Sequence, residues 1–295
     1  MKIKSLIQLL RIEQWSKNLF IFLPAFFSGN LLNVSTLFAS ILSFFAFSFA
    51  ASSIYCFNDI FDLKADSLHP NKSKRPVASG AISIKMAYTV MITFIVFSMV
   101  LLFFFGEDAT KYKLMGLIVF YYVMNLAYCI KLKRYVIVDV IIISIGFVLR
   151  IFVGGAATDI WLSEWLILMT FLLALFLAFA KRRDDVILFI STGELPRKNT
   201  KRYNLEFINQ VISLISSIII MAYIMYTLSP EVTTRFSSNN VYLTALFVIM
   251  GIIRYMHITI VHLKSGSPTK IFLHDRFIQA CIVCWIISFL IIIYI

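Results

Sequence analysis

The sequence predicts an all-α polytopic membrane protein, and three observations lead to that prediction. Of its 295 residues, 60% are hydrophobic and only 14% are charged, which is too apolar for a soluble protein of this length. Phenylalanine alone accounts for 29 residues, and the mean hydropathy is +0.89. Stretches such as 84–105 and 136–149 are apolar nearly all the way round a helix, as contact with lipid requires.

Nine apolar stretches are long enough to cross a bilayer, because one crossing takes about 20 residues. The first follows a basic segment that lacks a small-residue cleavage pattern, so we expect it to remain in the protein. Short loops, and no soluble domain, separate the later stretches, so we expect one membrane domain over 1–295. The predicted transmembrane helices are 18–32, 36–58, 84–105, 112–130, 136–155, 162–181, 207–228, 240–260 and 271–293.

The distribution of positive charge predicts the orientation of these helices. The formal net charge is +12, from 27 lysines and arginines against 15 acidic residues. Lys111, Lys113 and Arg235 lie in loops on one side and Arg150 lies within the fifth stretch, whereas the other basic residues lie on the opposite side. By the positive-inside rule, the N-terminus is cytoplasmic and the C-terminus is outside. Because the basic residues are spread over short loops, anionic ligands and lipid headgroups explain them better than nucleic acid does.

Most of the candidate chemistry lies in the segment 58–80, NDIFDLKADSLHPNKSKRPVASG. If the second helix continues past Asn58, then Asp59, Asp62 and Asp66 share one helical face. Three carboxylates placed in this way repel one another unless a cation lies among them. Mg²⁺ suits such oxygen ligands together with substrate phosphates, and Asn58 adds an amide oxygen or orients a water molecule. We therefore predict that the three aspartates are catalytic and hold Mg²⁺.

Cations follow the aspartates directly in the same segment. Lys72, Lys74 and Arg75 are side chains of the kind that hold phosphates. A solvated charged loop would explain the lysines equally well, but it would not explain aligned carboxylates at a helix end. The pattern therefore favours a site for a metal ion and phosphate.

The motif NDxxDxxxD at 58–66 resembles the first aspartate-rich motif of the UbiA-type intramembrane prenyltransferases. The resemblance extends over essentially the whole chain in helix number, orientation and loop placement. RIEQWSKN at 11–18 and LKRYVIVD at 132–139 are similar to the decaprenyl-phosphate phosphoribosyltransferase branch. Members of that branch move phosphoribose from phosphoribosyl pyrophosphate (PRPP) to a polyprenyl phosphate. The resemblance implies a UbiA-like bundle in a bacterial-type inner membrane, with its active site facing the cytoplasm.

The segment KRRDD at 181–185 stands where prenyltransferases of this family usually carry a second aspartate-rich motif. Its two adjacent aspartates project about 100° apart on a helix, so they cannot share one ion as an i, i+4 pair could. The three preceding cations, Lys181, Arg182 and Arg183, favour direct binding of phosphate. The alternative is that these cations only tether the inner helix ends to the membrane surface.

Two isolated charges lie in the fifth predicted helix. Arg150 is in its middle, where an unpaired charge costs several kcal/mol, so it should face the bundle interior and pair with an acid or a phosphate. Asp139, near the start of the same helix, is a candidate partner for Lys133 or for a substrate hydroxyl. Lys17 and Asn18, at the predicted cytoplasmic mouth, are assigned to the site by the resemblance alone.

Together these observations predict a Mg²⁺-dependent transferase that moves 5-phosphoribose from PRPP to a polyprenyl phosphate and releases pyrophosphate. Two alternatives stay open: a prenyltransferase with an aromatic or other lipophilic acceptor, and a transporter or lipid-binding membrane protein, for which no internal repeat is evident. The predicted partners are the two substrates and membrane lipid, without nucleic acid, and the sequence leaves the oligomeric state open. The predicted substrate-binding residues are Lys17, Asn18, Asn58, Lys72, Lys74, Arg75, Tyr128, Lys131, Lys133, Arg150, Lys181 and Arg182.

Overall fold

The computed structural model describes residues 3–68, 72–193, 195–197, 199–235, 238–261, 271 and 274–294. Within these ranges the regular structure is helical and contains no strand. The chain forms two compact units. Unit 1 comprises Met1–Lys133 and Ile145–Leu162, and unit 2 comprises Arg134–Ser144 and Ser163–Ile295.

Unit 1 is organised around its longest helix, α3. Asn33 caps the N-terminus of this helix by accepting a hydrogen bond from the Ser35 backbone N–H, and Ser83 caps α5 through the Met86 N–H. The helices of unit 1 are, in chain order, α1 (Ile3–Leu10), α2 (Leu23–Phe27), α3 (Val34–Phe61), α4 (Leu63–Ser67), α5 (Ile84–Leu102) and α6 (Asp108–Ile130), followed by most of α7 (Val138–Thr158).

Small side chains let α3 pack closely against its neighbours. Several of its serines are fully buried, and their hydroxyl groups bond to backbone carbonyls or to polar side chains of other elements. Ser98 of α5, for example, donates to the Ala46 carbonyl of α3 over 2.7 Å. Such contacts suit a membrane bundle, where close packing and interhelical hydrogen bonds drive helix association.

The prediction of a continuous first helix at 18–32 is wrong. Residues Ile12–Phe22 form a 3₁₀ helix, and α2 begins afterwards with Pro24 in its first turn, where the missing N–H is tolerated. Side chains fix this 3₁₀ segment to α3, because Trp15 donates to Ser52 over 3.0 Å and Asn18 donates to Ser48 over 2.8 Å.

The remaining predicted helices agree better with the structure. In the described part of the chain, seven helical segments are long and apolar enough to cross a membrane, and they correspond to the second to eighth predicted helices. The ninth was predicted at 271–293; the structure has Arg276–Tyr294, which is shorter in its apolar part, and residues 272 and 273 lie outside the described ranges.

Unit 2 has its own apolar core. Phe176, Ile208 and Ile212 are among its most buried side chains, and aliphatic residues from several helices surround them. The first residues of α7, up to Ser144, belong to this unit. Its further helices are α8 (Glu164–Thr192), α9 (Leu205–Leu228), α10 (Pro230–Arg235), α11 (Ala245–Ile260) and α12 (Arg276–Tyr294).

Candidate active site

The three aspartates of unit 1 lie where α3 gives way to α4. Helix α3 continues past Asn58 to Phe61, Asp62 is its C-terminal cap, and Asp66 lies in α4. The backbone N–H of Asp62 bonds to the Asn58 carbonyl, and that of Asp66 bonds to the Asp62 carbonyl. These i, i−4 bonds span the junction, but the helix continues past Asn58 only to Phe61, and Asp66 lies in a separate short helix.

Asp59 and Asp66 share one arginine. Asp59 is only 2% exposed, and its Oδ1 accepts from Arg11 Nη2 over 2.5 Å. Nη1 of Arg75 lies 2.6 Å from Asp66 Oδ2 and 3.5 Å from Asp59 Oδ1. A single cationic group therefore lies between two carboxylates, where like charges would otherwise repel.

The loop after Arg75 is closed by backbone hydrogen bonds. Ile82 N–H bonds to the Pro76 carbonyl, and Ser79 N–H bonds to the Arg75 carbonyl. Gly80 closes the turn with φ of 74°, a conformation that glycine adopts without steric cost.

The third aspartate, Asp62, pairs with a lysine that follows α6. Lys133 Nζ contacts both carboxylate oxygens, at 2.7 and 2.6 Å, and lies 5.6 Å from the centroid of the Phe61 ring. The suggestion that Lys133 is the partner of Asp139 is therefore wrong. Both Asp62 and Lys133 keep part of their surface exposed, so this pair is open to ligands.

Arg11 belongs to the site, although the predicted set omits it. Its backbone is left-handed, with φ of 50°, at the point where α1 ends and the 3₁₀ segment begins. Its guanidinium carbon lies 4.8 Å from the centroid of the Tyr55 ring, in the geometry of a cation–π contact. The sequence could have indicated a role for Arg11 through charge alone, because a buried carboxylate such as that of Asp59 requires a paired cation.

The donor chemistry of the three aspartates fits Mg²⁺. In the described ranges, no group of three or more His, Cys, Asp or Glu side chains is arranged to hold a metal ion, and the three carboxylates contact basic partners. Yet the position of Arg75 shows that a cation is accepted between Asp59 and Asp66. Carboxylate oxygens are the hard ligands that Mg²⁺ uses together with substrate phosphates.

Of the predicted substrate-binding residues, Arg75 and Lys133 contact the aspartates directly. Others lie elsewhere on unit 1, and their role in binding stays a prediction. Exposed or partly buried positions are taken by Lys17, Asn58, Lys72, Lys74, Tyr128 and Lys131.

Arg150 is buried in an aromatic cage. Its Nε donates to Asn18 Oδ1 over 2.8 Å and its Nη1 to the Gly146 carbonyl over 2.6 Å. The guanidinium carbon also lies 4.8 Å from the centroid of Phe47 and 5.2 Å from that of Phe147. Within the described residues no acid pairs with Arg150; aromatic faces, an amide and a carbonyl stabilise the cation instead, and its contact with a phosphate stays a prediction.

The contact between Arg150 and Asn18 links α7 to the 3₁₀ segment. At Gly154, one turn further along α7, an added Cβ would overlap the Ile21 carbonyl oxygen. Only glycine permits this close approach of the two backbones. Asn18 and Arg150 thus have a structural role, whatever they contribute to substrate binding.

In unit 2, the three cations of the KRRDD segment have different surroundings. Lys181 is exposed, whereas Arg182 and Arg183 are buried. Arg183 donates to Asn209 Oδ1 over 2.7 Å and to the Thr259 carbonyl over 2.5 Å, which satisfies a carbonyl in the last turn of α11. Arg183 therefore serves the fold by capping a neighbouring helix.

Arg182 is the centre of a buried network with Asp139. Its Nε donates to Asp139 Oδ2 over 2.7 Å and its Nη1 to Asp185 Oδ2 over 2.9 Å, and Arg197 also pairs with Asp185. Arg182 is 1% exposed and Asp139 is 0% exposed. A phosphate that bound Nε and Nη1 of Arg182 would have to break two ion pairs, whereas Nη2 of Arg182 is buried and has no hydrogen-bond partner within the described residues.

The same network holds the loop that follows α8. Asn199 Nδ2 and the Tyr203 hydroxyl both donate to Asp139, over 3.0 and 2.9 Å. The Tyr203 oxygen in turn accepts from the backbone N–H of Ile137, whose φ is 70°. Burial raises the pKa of Tyr203 well above its ordinary value and the adjacent Asp139 carboxylate raises it further, so the phenol stays protonated and donates.

Comparison with known proteins shows to which family the chain is similar. Residues 18–280 match the model of the UbiA prenyltransferase family. A protein from Mycolicibacterium smegmatis named decaprenyl-phosphate phosphoribosyltransferase is 32% identical over 294 residues, which cover 96% of this chain and 91% of that one. A protein of the same name from Corynebacterium glutamicum is 28% identical and covers 98% of this chain and 87% of its own.

Solved structures show the same fold. A UbiA homologue from Archaeoglobus fulgidus, bound to DMAPP and Mg²⁺, superposes with a TM-score of 0.71 at 18% identity. The superposition covers 98% of this chain and 99% of that one. At this level of identity the likeness concerns the fold.

Proposed function

Because the chain belongs to the UbiA prenyltransferase family, we propose that this integral membrane transferase moves 5-phosphoribose from PRPP to a polyprenyl phosphate and releases pyrophosphate. The observation that carries the proposal is the near full-length similarity to proteins named decaprenyl-phosphate phosphoribosyltransferase. The arrangement of acidic and basic residues in each unit also supports the proposal. Unit 1 has one aspartate cluster surrounded by cations, and the aspartates at 184–185 in unit 2 are adjacent to each other.

Asp59, Asp62 and Asp66 would hold the metal ion in this reaction. A bound Mg²⁺ would offset the negative charge that develops on the departing pyrophosphate. An oxygen of the lipid phosphate forms a bond to C1 of the ribose while the bond from C1 to the pyrophosphate oxygen breaks, and the electron pair leaves with pyrophosphate. The attacking group is already an anion, so the reaction needs no strong general base.

A prenyltransferase with a lipophilic acceptor is the second candidate. It is supported by the family match and by the solved homologues bound to DMAPP or GPP with Mg²⁺. Against it stands the segment after Phe179, where the adjacent aspartates are preceded by Lys181 and by two buried arginines.

A donor assay tests the proposal. The purified protein is incubated with Mg²⁺, labelled PRPP and a polyprenyl phosphate, and separately with a prenyl diphosphate and an aromatic acid. We expect label to pass from PRPP into the lipid fraction, with release of pyrophosphate that depends on the polyprenyl phosphate. Consumption of the prenyl diphosphate with no use of PRPP would replace the proposal by the second candidate.

We further propose that the single membrane domain exposes this site to the cytoplasm. The bias of lysine and arginine towards one set of loops supports that orientation. Cysteines introduced at the exposed positions Ser79 and Lys201, in a background where the exposed Cys284 is replaced by serine, should resist an impermeant thiol reagent added to intact cells. A cysteine at the exposed Glu107 should react, and the opposite pattern would place the site on the outer face.

A further inference from the structure

Each carboxylate of the aspartate cluster is already neutralised by a cation of the protein. Asp59 contacts Arg11 and Arg75, Asp66 contacts Arg75, and Asp62 contacts Lys133. Three formal negative charges thus face three formal positive charges. Both carboxylate oxygens of Asp62, and one oxygen each of Asp59 and Asp66, are engaged in these ion pairs.

This arrangement disfavours a metal ion that arrives alone. A divalent cation would have to displace the guanidinium and ammonium groups from the aspartates and would leave three positive charges beside it without partners. When pyrophosphate binds together with the metal ion, the displaced cations have new partners, because the pyrophosphate oxygens accept hydrogen bonds from them. Arginine and lysine are the side chains that hold phosphate best.

The exposure of the side chains fits such an exchange. Arg11, Arg75 and Lys133 are 23%, 27% and 21% exposed, whereas Asp59 is nearly inaccessible. The cations therefore lie outside Asp59 and Asp66, and an incoming anion meets them before it meets those two carboxylates; Asp62 is about as exposed as the cations. The Tyr55 ring would support the Arg11 guanidinium as its partner changes.

We propose that Arg11, Arg75 and Lys133 exchange partners when substrate binds, moving from the aspartates to phosphate oxygens while the metal ion takes the carboxylates. This inference deepens the proposed function and assigns Arg11 as a phosphate-binding residue of the donor site. Its consequence is positive coupling: metal and donor each bind more tightly in the presence of the other, by the same factor.

The test measures binding of Mn²⁺, a paramagnetic substitute for Mg²⁺, by electron paramagnetic resonance. In the unmodified protein we expect Mn²⁺ alone to bind weakly and to bind at least about tenfold more tightly with PRPP, after correction for the Mn²⁺–PRPP complex in solution; tenfold corresponds to about 1.4 kcal/mol. Arg11→Gln and Lys133→Gln free carboxylates, so each should strengthen binding of Mn²⁺ alone about tenfold while weakening binding of PRPP.

A matched control is Lys64→Gln. This substitution removes the same charge from an exposed position on α4, and it should leave Mn²⁺ binding unchanged. A merely structural role of Arg11 and Lys133 would weaken binding of both metal and PRPP in their variants. That result, or an Mn²⁺ affinity of the unmodified protein that neither PRPP nor inorganic pyrophosphate changes, would overturn the exchange.

Repeating the titration with inorganic pyrophosphate separates this inference from the proposed function. Pyrophosphate is common to PRPP and to prenyl diphosphates. Coupling with pyrophosphate but not with PRPP would uphold the exchange and refute the donor assignment. Absence of coupling with pyrophosphate, in a protein that transfers phosphoribose, would refute the exchange and uphold the donor.

Discussion

Replacing Asp62 by Asn should lower kcat at least about a hundredfold, the scale observed when one group that stabilises developing charge is removed from an active site. The substitution keeps the size of the side chain but removes the negative charge assigned to the metal ion. Because Asp62 is 25% exposed and its ion pair with Lys133 is partly solvated, the fold should lose little stability. Asp62 is therefore a cleaner test than the buried Asp59, which also holds Arg11 and Arg75.

The measurement is turnover of PRPP alongside thermal unfolding of the same preparation. Asp108→Asn is the matched control, because Asp108 forms an exposed ion pair with Lys111 over 2.5 Å, away from the aspartate cluster in sequence. It should retain full activity. Unchanged turnover in Asp62→Asn would remove the metal-site assignment.

Replacing Asp139 by Ala should destabilise unit 2 by about 3–5 kcal/mol, because removing one partner of a buried ion pair leaves the other charge uncompensated. Arg182 would keep only its pair with Asp185, and the Asn199 amide and the Tyr203 hydroxyl would lose their acceptor. Loss of the acceptor should also loosen the loop between α8 and α9, since two of its side chains are held by Asp139.

Thermal unfolding and limited proteolysis of that loop measure the two effects. Asp275→Asn is the matched control within unit 2: it removes a carboxylate that pairs with Arg254 over 2.8 Å, and asparagine can still cap the N-terminus of α12. The Arg254 side chain holds the pKa of Asp275 below its ordinary value, so this pair contributes stability at neutral pH and loses it only in acid. A partly exposed pair of this kind is worth about 0–1 kcal/mol. Equal losses in the two variants would contradict the central role of Asp139.

Composition and apolar length predicted the positions of seven membrane helices because lipid contact constrains every residue of such a helix. The prediction of the first helix was wrong because its structure involves contacts with residues that are distant in sequence. The 3₁₀ segment found there is bonded to Ser48 and Ser52, which are distant in sequence, and it lies close to Gly154. No local pattern in 18–32 contains that information.

In the candidate site, too, local sequence predicted some features, whereas others depend on residues that are distant in sequence. The spacing of Asp59, Asp62 and Asp66 predicted one helical face from local geometry, whereas the structure divides the three residues between the end of α3, its C-terminal cap and α4. The assignment of Arg182 to phosphate rested on its neighbours in sequence, whereas its surroundings are set by Asp139 in another helix. Charge alone indicates that a carboxylate such as that of Asp59 needs a cation, but the left-handed backbone that brings Arg11 to Asp59 is evident only in the folded chain.

The 3₁₀ segment has a consequence for the thickness of bilayer that the start of the chain can traverse. A 3₁₀ helix rises about 2.0 Å per residue, so the 11 residues of Ile12–Phe22 extend about 22 Å, against about 16 Å for an α-helix of equal length. The five residues of α2 add about 7.5 Å. Fully extended along one axis, the two reach about 30 Å, the thickness of the hydrocarbon core. The 3₁₀ geometry thus lets Ile12–Phe27 match the length of a full membrane crossing with few residues. A 3₁₀ helix is also narrower than an α-helix, which leaves more room for the helices packed beside it.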